Sequence, residues 1–165
     1  MSTPAVHSVP VPFSRKLWAW LPTLLWLCVL AMFSTDTFSA EHTGGVLMKI
    51  LHALFGNISA HRFHQIHFFI RKAAHFGSYG LLGAFAFFSW RATLPALPRW
   101  TFRWSALALL LVLVAACLDE FHQSFVASRG SSLRDVGLDF VGAIFFQGAI
   151  AFWASWREGA RTASV

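Results

Sequence analysis

Charge is what this sequence has least of: Asp, Glu, Lys and Arg make up 12% of its 165 residues, against roughly 25% in soluble domains. With 56% of the chain hydrophobic, that shortage excludes an ordinary soluble domain and belongs to a membrane protein. Cysteine is nearly absent. Cys28 and Cys117 each lie in an apolar stretch without a CxxC partner, which excludes a disulfide framework and a thiolate zinc site. Tyrosine occurs once, against 18 Phe and 8 Trp, a balance suited to lipid, which accepts large apolar rings and holds Trp at headgroup level. Acids are fewer than bases, seven against thirteen, for a net charge of +6. No basic stripe alternates with aromatics as a nucleic-acid groove requires, so no nucleic-acid partner is expected. The cations instead flank apolar runs, where they set topology and attract anionic membrane lipids.

Residues 1–16 contain Pro4, Pro10 and Pro12 and end in Arg15-Lys16, which reads as a short disordered tail before a first span over about 17–33. A secretory signal peptide competes for this segment. Its apolar run is longer than a usual signal core, carries Pro22, and lacks a good small-residue cleavage pattern near Ser39-Ala40, so a retained span is the preferred reading. The stretch Val46–Phe55, broken by Lys49 and His52, is too short to cross and reads as an interfacial amphipathic helix. Asn57 and Ser59 can cap a further helix from Ala60. That helix leads into a second span over about 73–90, where Ala73, Gly77, Gly80 and Ala84 offer small residues for close helix contact. A basic connection with Pro95 and Pro98 precedes a third span over about 104–118, and a fourth covers about 136–156. Residues 157–165 form a closing tail.

The expected fold is therefore all-α: a polytopic membrane bundle of about four transmembrane helices with one interfacial helix. Four crossings put both termini and the 91–103 connection on one side, with Arg15, Lys16, Arg91, Arg99, Arg103, Arg157 and Arg161 against a single acid, Glu158. The opposite side carries six cations and the remaining acids. The positive-inside rule then places both termini in the cytoplasm.

Crossing number alone, whichever way the chain is oriented, brings the start of the second span, the end of the third and the start of the fourth to one face. Those places hold Arg71, Lys72 and His75, then Asp119, Glu120 and Gln123, then Arg129, Arg134, Asp135 and Asp139. Arg71, His75 and Tyr79 are four apart and share a helix face, as do Asp119 and Gln123, and Asp135 and Asp139. A charge at mid-membrane costs at least ~2.5 kcal/mol, so these stripes should face the bundle interior or a wet cavity. Asp119 and Glu120 sit at a helix C-terminus, where the dipole disfavours them by roughly 0.3–1 kcal/mol each; an arginine, Arg71 or Arg129, is expected to compensate. Ser132 and Asp135 have capping-box spacing. The bland alternative is an ion-pair network that only pins three helices. His61, His64 and His67 recur every three residues, a spacing that drifts around the helix and supplies no carboxylate at i+3 or i+4. They read as solvated interfacial histidines, and neither a metal site nor a cofactor is expected.

The run Ile70-Arg71-Lys72-Ala73-Ala74-His75-Phe76, with Tyr79 and Leu81-Leu82-Gly83, followed by Asp119-Glu120-Phe121-His122-Gln123-Ser124-Phe125, Arg129-Gly130-Ser131 and Asp135-Val136, resembles the VanZ-like family. The pieces occur in order over residues 70–148. The resemblance implies a small multi-pass protein of the bacterial plasma membrane, in a family named for an accessory factor in teicoplanin resistance, and implies no mechanism. By motif match, the functional set is Arg71, Lys72, His75, Tyr79, Asp119, Glu120, Gln123, Arg129 and Asp135. Ala127-Ser128 stands where the family often has Pro-Gly.

Two functional classes follow. In the first, an extracytoplasmic polar pocket binds an anionic envelope component, such as a lipid-linked phosphate or cell-wall precursor. Arg71, Lys72 and Arg129 would hold the anion, Gln123 and Tyr79 would orient it, and Asp119 and Asp135 would complete the binding set. Any catalysis would use His75 and Glu120 for proton transfer. In the second, the protein is a non-enzymatic scaffold. A transporter is a weaker third reading, since four helices without an inverted repeat offer little for alternating access.

Overall fold

The computed structural model describes residues 12–35, 40–94, 101–126 and 131–162. Five helices account for nearly all of them: α1 Phe13–Phe33, α2 Ala40–Phe55, α3 Ala60–Thr93, α4 Phe102–Gln123 and α5 Leu133–Thr162. Three of these, α1, α4 and α5, are long and apolar enough to cross a membrane. The chain is thus an all-α membrane bundle. Its surface bears this out: Trp18, Leu25, Phe102, Leu110, Phe145 and Phe152 are all more than half exposed, a display of apolar side chains that suits lipid and not water.

Local chemistry sets the helix ends. Ser59 Oγ accepts the Arg62 N–H at 3.4 Å to start α3, as its cap position leads one to expect. Thr101 does the same for Trp104 at the start of α4. Gly56, at φ +71°, closes α2 in a backbone conformation that a side chain would strain. α1 begins at Phe13 and α5 runs to Thr162, while residues 1–11 of the expected 1–16 tail and the Arg129 loop lie outside the described residues.

α3 is the central helix, packed against α1, α4 and α5 and, more lightly, α2. At 34 residues it is about 51 Å long, well beyond the ~30 Å of a hydrocarbon core. It is also the long helix that falls outside the three apolar ones, and its position explains why: neighbours cover its sides, so His75, Ser78, Tyr79 and Ser89 can sit along it without meeting lipid. α1 runs antiparallel to α3, with Ser89 donating to Ala19 O at 2.7 Å and Trp26 Nε1 donating to Ser78 O at 2.9 Å. Thr23 and Ser89 hydroxyls meet at 2.8 Å between them. α5 runs parallel to α3 and touches it backbone to backbone. A Cβ on Gly142 would overlap the Phe76 carbonyl oxygen, one on Gly80 would overlap the Phe146 ring, and one on Gly83 would stand 3.3 Å from Ala143 Cβ. Gly77, by contrast, faces open space. The small-residue seam therefore runs through Gly80 and Gly83.

Gln147 ties three helices in the buried middle, donating to Gly83 O at 2.8 Å and accepting from Ser105 Oγ at 2.9 Å. Above and below it pack Leu82, Ala86, Phe87, Trp104, Ala108 and Val112, each essentially without exposed surface.

Candidate functional site

The alternation of α1, α3, α4 and α5 brings the end of α1, the first half of α3, the end of α4 and the start of α5 to one end of the bundle. The three polar segments singled out in the sequence meet there, joined by Ser34, the C-cap of α1. A cavity of about 280 Å³ opens between α1, α2, α3 and α4. Arg71, His75, Tyr79, Asp119 and Gln123 all line it, and Leu30, Phe33, Leu47 and Ile70 make the rest of its wall largely apolar.

The four-residue spacings act as the helix geometry requires. Gln123 Nε2 donates to Asp119 Oδ2 at 2.9 Å, one turn apart on α4. The His75 and Tyr79 rings lie nearly parallel, 15° apart in plane with centroids 6.3 Å apart. Tyr79 and Gln123 are buried, so the cavity floor is polar. His75 is anchored from behind: its Nδ1 stands 3.3 Å from Oδ1 of Asp139 on α5, whose side chain has no exposed surface. That is ion-pair distance, yet the alignment is not that of a hydrogen bond, and neither Asp139 oxygen has a hydrogen-bond partner among the described residues.

Other members of the expected set lie beside the cavity. Lys72 turns to α5 and pairs with Asp135, both partly exposed. Glu120 is buried and does not line the cavity. Its Oε2 accepts the Ser132 N–H at 2.6 Å ahead of α5, while Oε1 has no partner among the described residues. Ser132 Oγ accepts the Arg134 N–H at 3.2 Å, so Asp135 is free to serve Lys72. The expected arginine partner for the α4 carboxylates is not seen: among the described residues no ion pair joins Arg71 to Asp119 or Glu120, and a backbone amide compensates Glu120 instead. Arg129 lies outside the described residues.

Asp139 and His67 enlarge the site beyond the expected set. Asp139 was visible as a four-residue repeat of Asp135, but nothing in the sequence marked it as His75's partner. His67 is not solvated. It is 8% exposed, lines the cavity and stacks on Phe63 at 5.6 Å. Burial first, and then the Arg71 guanidinium one turn on, hold His67 below the ordinary imidazole value. His61 and His64 are exposed.

A family model described as VanZ/LLP1 matches residues 18–154. The chain belongs to the VanZ/LLP1 family. The match takes in α1 through most of α5, and so every described part of the polar end. No curated protein and no solved structure matches the chain.

Proposed function

We propose that this VanZ/LLP1 protein binds an anionic cell-envelope or lipid-linked component in the cavity at the polar end of its bundle. The observation that carries the reading is Arg71, a cation lining an apolar-walled cavity with no ion-pair partner among the described residues. An unpaired guanidinium in such a setting favours a bidentate anion, carboxylate or phosphate. Asp119, Gln123 and Tyr79 beside it suit the neutral hydroxyls of a polar headgroup. Any proton transfer on such a ligand falls to His75, which faces the cavity, with Glu120 as the second titratable group near it.

In this reading α3 completes a four-span topology in the bacterial plasma membrane, both termini are cytoplasmic, and the cavity opens outward. The cations of the N-terminus, the 91–103 connection and the C-terminus support that orientation. A contribution to glycopeptide tolerance belongs to the same proposal, through the family's association.

Mass spectrometry of lipids retained by the protein in mild detergent tests the binding. An anionic lipid should co-purify with the protein and be lost on Arg71→Ala. Retention of the same lipids in the same amounts by both proteins rules the pocket out.

A second reading has its own observation. Lys72 to Asp135 fastens α3 to α5, and Glu120 to Ser132 fastens α4 to α5, as a scaffold would need. For these residues Glu120→Ala and Lys72→Met should then alter the amount of folded protein, not its lipid content.

A further inference from the structure

The polar cavity has a neighbour. A second cavity, of about 270 Å³, lies between α1 and α4, and the two share Leu30, Ser34, Tyr79 and Asp119 in their walls. α1 rests on α3 and makes no extended contact with α4, so the space between α1 and α4 is a crevice in the flank of the bundle. Its remaining walls are Leu27, Ala31, Ala115 and Leu118, with His122 at the polar end. There Ser34 Oγ and His122 Nδ1 meet at 3.2 Å, a single hydrogen bond across the mouth.

Both helices flanking this crevice are among the three long, apolar ones, so in a membrane its open side would face hydrocarbon. Resting on the anion-binding reading above, we infer that the crevice is a subsite for the hydrocarbon chain of an anionic amphiphile, which enters sideways from the bilayer and places its headgroup beside Asp119 and Arg71. The occupant follows from the walls. They are aliphatic and small, with no cation of their own, and they lead to a shared polar boundary at Tyr79 and Asp119. A soluble anion has no use for such a side entrance. A chain already dissolved in lipid gains no hydrophobic free energy on moving into the crevice; what it gains is a route that keeps the tail in hydrocarbon while the headgroup reaches the guanidinium.

Photolabelling of the full chain in nanodiscs of zwitterionic lipid tests this, using an alkyl phosphate with a diazirine in its chain and the matching alkyl alcohol. The expected result is labelling concentrated on Leu27, Ala31, Ala115 and Leu118, severalfold above Phe145 and Phe152 on the far surface of α5. Ala31→Trp, at an exposed position on the crevice wall, should abolish it while the protein still folds, as read by monodisperse elution and an unchanged melting temperature. Arg71→Ala should reduce phosphate labelling to the level of the alcohol. Labelling spread evenly over the lipid-facing surface, or unmoved by Ala31→Trp, overturns the crevice. Should inorganic pyrophosphate still bind in an Arg71-dependent manner in that case, the anion pocket stands without it. Equal crevice labelling by phosphate and alcohol, indifferent to Arg71→Ala, overturns the anionic ligand and with it the inference as stated.

Discussion

His75 Nδ1 stands 3.3 Å from Oδ1 of Asp139, a carboxylate with no exposed surface and no hydrogen-bond partner among the described residues. The imidazole is thus the ion-pair partner of a buried acid, and the two residues are not equivalent. Removing Asp139 leaves a histidine at the cavity wall that can release its proton. Removing His75 leaves a carboxylate in a dry interior. Loss of one partner from a buried pair costs about 3–5 kcal/mol when the other stays charged, so His75→Leu should destabilise by that order. Asp139→Asn should cost less, on the order of 1–2 kcal/mol from an imperfectly paired amide. Urea or thermal unfolding in detergent checks the order, and the double variant His75→Leu with Asp139→Leu should recover most of the loss.

The helix seam makes a sharper contrast. An alanine at position 142 would drive its Cβ into the Phe76 carbonyl oxygen, a backbone atom that cannot swing away. Gly142→Ala should therefore cost several kcal/mol or prevent accumulation. Gly80→Ala meets only the Phe146 ring, which can turn, and should cost about 1–3 kcal/mol. Gly77→Ala and Gly148→Ala meet nothing and should stabilise by up to about 1 kcal/mol through helix propensity. Melting temperatures of the four variants would rank them.

That contrast also marks how far the sequence could be read. The helix starting at Ala60, the polar end assembled by crossing number, and the Asp119–Gln123 pair all rest on local rules: a cap, an alternation, a four-residue turn. They were legible. Whether Gly77 or Gly80 meets α5 depends on the rotation of α3 about its own axis, which the small-residue pattern leaves open. The same rotation sends Lys72 to Asp135 and not Arg71 to Asp119. Asp139 and His75 are 64 positions apart, and only the parallel docking of α3 and α5 makes them partners. His67 looked solvated because its three-residue histidine repeat drifts around the helix; α2, laid over it at Gly44, buries it.

Glu120 separates a structural from a chemical role. Its Oε2 holds the Ser132 amide ahead of α5. Glu120→Gln keeps a carbonyl oxygen for that amide and should unfold within about 1 kcal/mol of the parent, whereas Glu120→Ala strands a part-buried N–H and should lose about 1–3 kcal/mol. Unfolding measurements on both test the hydrogen bond. If Glu120→Gln matches Glu120→Ala, the negative charge is what the amide requires.

The Lys72–Asp135 pair is partly exposed, 29% and 20% for the two side chains, so solvent screening limits its worth to about 1 kcal/mol or less. Lys72→Ala should cost that much at low salt and less at high salt. The charge-reversed pair Lys72→Asp with Asp135→Lys should restore part of it. A loss that ignores salt would mean that Lys72 acts through its stem, whose ammonium lies 5.5 Å from the Phe68 ring centroid.

His67 predicts a pH dependence with a definite sign. Burial and the neighbouring Arg71 disfavour its protonated form in the folded protein, so its folded value lies below the ordinary 6.5. The unfolded chain therefore binds more protons between those two values, and stability must rise with pH across that window. The contribution is complete above the ordinary value and is lost as the pH falls below it, levelling off once the folded form also takes up the proton. A His67→Phe variant preserves the stack on Phe63 and removes the titration. Melting temperature measured from pH 7.5 down to pH 5 should fall for the parent and stay flatter for the variant, and parallel curves would mean that another group carries the acid sensitivity.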